Sequence, residues 1–171
     1  MALTLVLGGA RSGKSGFAQA QAEAQAGAQG GRLAMIVTGQ AFDDEMRARI
    51  AQHRRDRGAA WRTVEAPLDL PQALGCLHED DVVVVDCLTL WLSNLMLAER
   101  DCVPETESLL AALEGMKNPV WLVSNEVGLG IVPENALARR FRDEAGRLHR
   151  MLAAQADRVV LMVAGLPLMV K

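Results

Sequence analysis

The sequence predicts an α/β fold built on a mainly parallel sheet, and three observations carry this. Short apolar runs alternate with helix-forming stretches along the chain, the order expected when helices cross over between parallel strands. The run at 81–86, DVVVVD, sets valines at four successive positions, which suits a strand buried on both faces. Half of the 171 residues are hydrophobic, enough to bury a core and too many for a disordered chain. At about 100–200 residues per domain, one domain over 1–171 is expected.

Each element has its own signal. Residues 2–7 (ALTLVL) read as a buried strand running into Gly8-Gly9. A helix rich in Ala, Gln and Glu follows over 14–29, and Gly30-Gly31 stops it. Residues 33–37 (LAMIV) form a second buried strand. Asp43, Asp44 and Glu45 open a helix, since carboxylates favour a first turn, and it fades by Gly58. Residues 61–65 (WRTVE) alternate as a short strand, and 67–77 form a helix. After the valine strand come a helix over 88–97, a surface loop around 101–106, a helix over 107–116 and a buried strand over 120–123. The best amphipathic helix spans 134–155, with Leu137, Phe141, Ala145, Leu148 and Leu152 on one face and Pro133 at its start. A strand over 158–163 follows, with 165–171 as an antiparallel hairpin partner.

Composition excludes several classes. Lys and Arg number 18 against 21 Asp and Glu, a net charge of -3 that argues against a nucleic-acid binder. Aromatics make up 4%, with no Tyr, so base-stacking platforms are not expected. Cys76, Cys87 and Cys102 are odd in number and widely spaced, unlike a disulfide framework or zinc site, and read as reduced thiols of a cytoplasmic protein. No apolar run approaches the roughly 18 residues of a membrane span, and 1–7 lacks the features of a signal peptide.

Residues Gly8, Gly9, Ala10, Arg11, Ser12, Gly13, Lys14 and Ser15 fit G-x-x-x-x-G-K-[ST] in full, between a strand and a helix. Glycines let backbone N–H groups converge on phosphate oxygens, and the helix N-terminus favours the anion. Lys14 should reach the β- and γ-phosphates, and the Ser15 hydroxyl should bind Mg2+. Asp86, ending the valine strand, is the expected second magnesium ligand; an ordinary acidic strand terminus is the competing reading. These features point to a nucleoside triphosphatase or kinase site. No N-K-x-D guanine reader is present, which disfavours a GTPase switch.

Three histidines remain. His78 lies in an acidic turn and reads as a solvated residue, and His149 lies near the polar edge of the long helix with a structural or surface role. His53 stands among Arg49, Arg54, Arg55 and Arg57, cations that favour its neutral, nucleophilic form and could bind the phosphates it attacks. On residue types alone, a solvated basic helix face is the stronger reading.

Beyond the cradle, the ordered set Asp43-Asp44-Glu45-Met46, Arg49-Ile50, His53, Trp61-Arg62-Thr63, Glu65, Asp86-Cys87-Leu88-Thr89 and Asn94-Leu95 is distinctive. The most specific stretch runs from Ser124 to Asn135 (SNEVGLGIVPEN), followed by Phe141-Arg142-Asp143 and Ala145-Gly146-Arg147. Through these residues the chain resembles, almost end to end, the bifunctional adenosylcobinamide kinase/adenosylcobinamide-phosphate guanylyltransferases of cobalamin biosynthesis. The resemblance implies a P-loop NTPase-like (RecA-like) three-layer fold with an antiparallel C-terminal edge. It implies phosphorylation of adenosylcobinamide by ATP or GTP. It also implies transfer of GMP from GTP onto adenosylcobinamide phosphate through a guanylylated histidine, which His53 matches. Some relatives carry two adjacent histidines here; with Gln52 preceding, His53 is the one candidate in this chain. Gly58-Ala59 departs from relatives that carry proline soon after the arginines. The implied GTP contacts are the cradle, Thr38-Gly39-Gln40, Arg54-Arg55-Asp56-Arg57, Glu65 and Asp86, and the implied assembly is a homotrimer. The 124–133 segment is expected at the carboxyl edge of the sheet, lining the site. A small-metabolite kinase without nucleotidyl transfer, or a nucleotide-binding regulatory module, are the alternatives.

Overall fold

A computed structural model describes residues 2–40 and 60–171 of the chain. The strands are β1 (Leu3–Gly8), β2 (Arg32–Val37), β3 (Trp61–Glu65), β4 (Asp81–Asp86), β5 (Val120–Asn125), β6 (Arg158–Val163) and β7 (Leu166–Met169). The helices are α1 (Lys14–Gln29), α2 (Leu70–Gly75), α3 (Leu88–Leu97), α4 (Cys102–Glu114) and α5 (Ala136–Gln155). The strands form one sheet in the order β3-β2-β4-β5-β1-β6-β7. Its pairings are parallel except for β6 with β7, the antiparallel edge expected from 165–171.

Strand alternation builds two cores. In β4, Val83 and Val85 face a cluster with Leu70, Leu92, Leu109 and Leu148 from α2, α3, α4 and α5. Val82 and Val84 face the other way, toward Ala18, Ala22 and Ala26 of α1. The valine run is therefore buried on both faces, as its composition requires. Each such side chain contributes about 1.5–3 kcal/mol when fully buried. The α1 face is lined by alanines at steps of four, so a helix without bulk on that side can lie close to the sheet. Phe17 closes its start edge-on against Trp121, ring centroids 6.3 Å apart.

Three element boundaries differ from the sequence reading. The helix expected over 67–77 is confined to Leu70–Gly75. The carbonyls of Pro67 and Leu68 instead accept from Asn94 Nδ2 (2.9 Å) and Trp91 Nε1 (2.8 Å) of α3, which holds them outside a helix. The expected loop at 101–106 is the first turn of α4: Asp101 accepts from Val103 N–H at 3.1 Å as the cap. Pro104 fits that turn because its missing N–H would have no helical partner there. The long helix starts at Ala136, capped by Asn135, which accepts from Ala138 N–H at 3.0 Å. Pro133 precedes the cap, and Leu137 is exposed rather than on the buried face, because 134–137 all face solvent. The helix expected from Asp43 to Gly58 lies outside the described residues.

Candidate functional site

The cradle sits at the carboxyl end of β1, which runs between β5 and β6. Gly8 is required by packing: a Cβ there would stand 2.6 Å from the Met162 carbonyl oxygen of β6, a backbone atom that cannot swing away. Gly13 has φ 90° and turns the chain into α1 from the left-handed region, where a side chain is strained. The loop is tied by Ser12 N–H to Gly9 O (3.3 Å) and by Gly165 N–H to Ser12 O (3.1 Å). The turn between β6 and β7 thus props the cradle from behind, a contact with no signal in the motif.

Lys14 is 7% exposed and donates from Nζ to Gly9 O at 2.5 Å. Burial lowers its pKa, against the opposing pull of Cys87 and Asp86 beside it. An ammonium has three donors, so a lysine bonded to one carbonyl can still bind an anion. Ser12 Oγ is buried without a hydrogen-bond partner among the described residues. Among the described residues, no side chain caps the N-terminus of α1. Buried donors without acceptors are uncommon, and here they gather in one loop at a helix N-terminus, a constellation that phosphate oxygens satisfy.

Asp86 closes β4 half-buried, in register with Val37 of β2 and Val123 of β5. Thr38 is fully buried and braces this edge. Its hydroxyl donates to Cys87 O (2.6 Å) and accepts from Cys87 N–H (3.0 Å), while its carbonyl accepts from Asn94 Nδ2 (2.7 Å). Its side chain is therefore committed to the chain itself, and Gly39 and Gln40 follow half-exposed. Burial, then the nearby Asp86 charge, raises the Cys87 thiol pKa, which keeps it protonated. Glu65 is exposed at the end of the edge strand β3. Four strand spacings separate it from β1, about 19 Å. His53, Arg54, Arg55, Asp56 and Arg57 lie outside the described residues.

Sequence reasoning missed a polar chain behind the site. Asn125 N–H donates to Thr89 Oγ1 (2.7 Å), Thr89 Oγ1 meets Ser124 Oγ (3.2 Å), and Ser124 Oγ meets His149 Nε2 (2.7 Å). His149 is 7% exposed, not at a polar edge as read above. The signal was present: it lies four residues after Ala145 and three before Leu152, on their stripe. Burial lowers its pKa, opposed by Glu126. The structural role anticipated for it holds, whereas His78 is exposed as expected. Directly after this chain, Glu126 N–H donates to Gly8 O at 2.9 Å, and Glu126 Oε1 accepts from Gly128 N–H. The segment that follows β5 therefore starts at the carboxyl edge beside Gly8, and Leu129, Ile131 and Val132 further along it are exposed.

A cavity of about 680 Å3 opens at the opposite edge, between the starts of β2, β3 and β4. Its two arginines are already matched, with Asp81 holding Arg62 at 2.6 Å and Arg32 at 3.5 Å. The described residues hold no group of three or more His, Cys, Asp or Glu suited to a metal ion on their own. Magnesium needs only one or two carboxylates beside substrate phosphates, which Asp86 and the Ser15 hydroxyl fit as hard oxygen donors. Among the described residues, no helix is long and apolar enough to cross a membrane.

Comparison with known proteins gives a consistent result. The family model described as cobinamide kinase / cobinamide phosphate guanyltransferase matches residues 4–170. The chain is 48% identical to the bifunctional adenosylcobalamin biosynthesis protein CobP of Pseudomonas aeruginosa, covering 98% of this chain and 96% of that one. It is 42% identical to the bifunctional adenosylcobalamin biosynthesis protein CobU of Salmonella typhimurium and 40% identical to that of Escherichia coli, with 99% of each chain covered.

Proposed function

The chain belongs to the cobinamide kinase / cobinamide phosphate guanyltransferase family, and from that premise we propose that it performs both reactions of adenosylcobalamin biosynthesis at one nucleotide site. The first transfers a phosphoryl group from ATP or GTP to the aminopropanol hydroxyl of adenosylcobinamide. The second transfers GMP from GTP to the resulting phosphate, giving adenosylcobinamide-GDP and pyrophosphate. The observation that carries this reading is buried Lys14, folded across the cradle onto Gly9 O with Asp86 beside it.

In both reactions the cradle N–H groups, the Ser12 hydroxyl and Lys14 bind the phosphates and stabilise the charge that gathers on the departing group. Ser15 and Asp86 would hold Mg2+, which when bound would neutralise phosphate charge. For guanylyl transfer, the neutral imidazole of His53 attacks the α-phosphorus and pyrophosphate leaves. An oxygen of adenosylcobinamide phosphate then attacks the same phosphorus and frees the imidazole. Thr38, Gly39, Gln40, Arg54, Arg55, Asp56, Arg57 and Glu65 complete the GTP contacts, Thr38 through the edge it braces. We assign the chain to the cytoplasm as one domain in a homotrimer. Free thiols at Cys76, Cys87 and Cys102 agree with the compartment, and the exposed apolar Leu166, Leu168 and Met169 of β7 agree with assembly.

The test uses GTP labelled on the α-phosphorus with protein and Mg2+ but no acceptor. Wild type should acquire protein-bound label that is acid-labile and alkali-stable, and His53→Asn should not. Pyrophosphate release should depend on adenosylcobinamide phosphate. A folded, GTP-binding wild type that takes no label would reduce the reading to a kinase, or to direct transfer.

A further inference from the structure

The two proposed reactions differ in what their acceptors need. The guanylyl acceptor is a phosphate monoester, already ionised near pH 7 because its second pKa is about 6. The kinase acceptor is an alcohol and must lose a proton as it attacks. A single site serving both therefore requires a base for one reaction only.

Among the described residues, three carboxylates stand at the carboxyl ends of the strands from β3 to β1. Glu65 is on the outer strand, about 19 Å from β1 by strand spacing. Asp86 is placed with magnesium. Glu126 follows β5, the immediate neighbour of β1, and its own N–H is bonded to Gly8 O at 2.9 Å. Its side chain thus originates beside the first residue of the cradle, within one side chain's reach of the loop. The residue is half-buried. Gly128 N–H occupies Oε1, and Oε2 has no hydrogen-bond partner among the described residues. The backbone just before it is fixed by Thr89, Ser124 and His149, a chain that joins α3, β5 and α5. Such fixing is what a proton acceptor needs if it is to meet a hydroxyl in one geometry.

We propose that Glu126 is the general base of the kinase reaction and is dispensable for guanylyl transfer. As the acceptor hydroxyl oxygen bonds to the γ-phosphorus, its proton passes to Glu126 Oε2. The bond from that phosphorus to the β,γ-bridging oxygen breaks, and its electron pair leaves with the nucleoside diphosphate. The proposal rests on the two-reaction reading above.

The test is Glu126→Gln, which keeps an acceptor for Gly128 N–H and removes the basic oxygen. Phosphorylation of adenosylcobinamide should fall in kcat on the order of 100- to 10,000-fold, with little change in the nucleotide KM. GMP transfer to pre-formed adenosylcobinamide phosphate should stay within a few-fold of wild type, which also reports the fold. Glu126→Asp should recover part of the kinase rate. An unchanged kinase rate, or equal loss of both reactions, overturns the proposal. A wild type lacking either reaction would instead defeat the reading beneath it.

Discussion

The two edges of the parallel sheet treat polar groups in opposite ways. At the amino edge, where β2, β3 and β4 begin, Asp81 meets two arginines, Arg62 and Arg32. Asp81 is 1% exposed, binds Arg62 at 2.6 Å and accepts His78 N–H at 2.9 Å. Asn118 spends its amide on the carbonyls of His78 and Asp81, at 2.7 and 3.0 Å. At the carboxyl edge Lys14 has one carbonyl partner, Ser12 Oγ has none among the described residues, and Glu126 has one oxygen bonded. Both edges are built from the same residue types. Unspent bonding capacity separates them, and it lies at the edge away from the cavity between β2, β3 and β4.

Removing a donor from the unspent edge should have the largest effect. Lys14→Met should lower kcat/KM of both reactions on the order of 1,000-fold, while the melting temperature holds or rises, since an apolar side chain suits the buried position better than a desolvated cation bonded to a single carbonyl. Near-normal turnover in that variant would break the comparison. Removing a charge from the matched edge should do the reverse. Asp81→Asn should cost about 1–3 kcal/mol in urea unfolding and leave kcat/KM unchanged at temperatures where the protein is folded. A catalytic defect there would show the amino edge to be functional.

The smallest effect concerns His149, behind the unspent edge. Its folded pKa lies below the ordinary 6.5 because it is buried. As pH falls through 6.5 the unfolded chain takes up a proton that the folded chain refuses, so stability falls with it. Unfolding free energies between pH 7 and 5 should therefore drop more gently in His149→Gln than in wild type. Identical slopes would show that the imidazole does not titrate against the fold.

Most of the architecture was legible because the central strands signal their own burial. The valines of β4 and the apolar run of β1 need two covered faces, and alternation with helices leaves few ways to supply them. The cradle was legible because its chemistry is contiguous in the chain. What was not legible depends on partners distant in sequence. Residues 67–69 look helical until Trp91 and Asn94 claim their carbonyls. The burial of His149 could be read from the stripe of Ala145 and Leu152, but its partner Ser124, on another element, could not. Asp101 and Pro104 suggest a loop when read as breakers and a helix start when read as cap and first turn, a local signal that was available. Glu126 was visible only as part of a resemblance, because its significance comes from lying beside Gly8.

The prop behind the cradle bears on how the protein is made. The cradle loop is synthesised well ahead of the backbone that packs on Gly8 and bonds Ser12, which comes from Met162 and Gly165. At about 5–20 residues per second, the wait between them is on the order of ten to thirty seconds. Throughout that interval the nascent chain carries the whole motif without the wall it leans on. Nucleotide affinity should therefore arise late in synthesis, and a chain stalled before β6 should display the complete signature without holding its ligand.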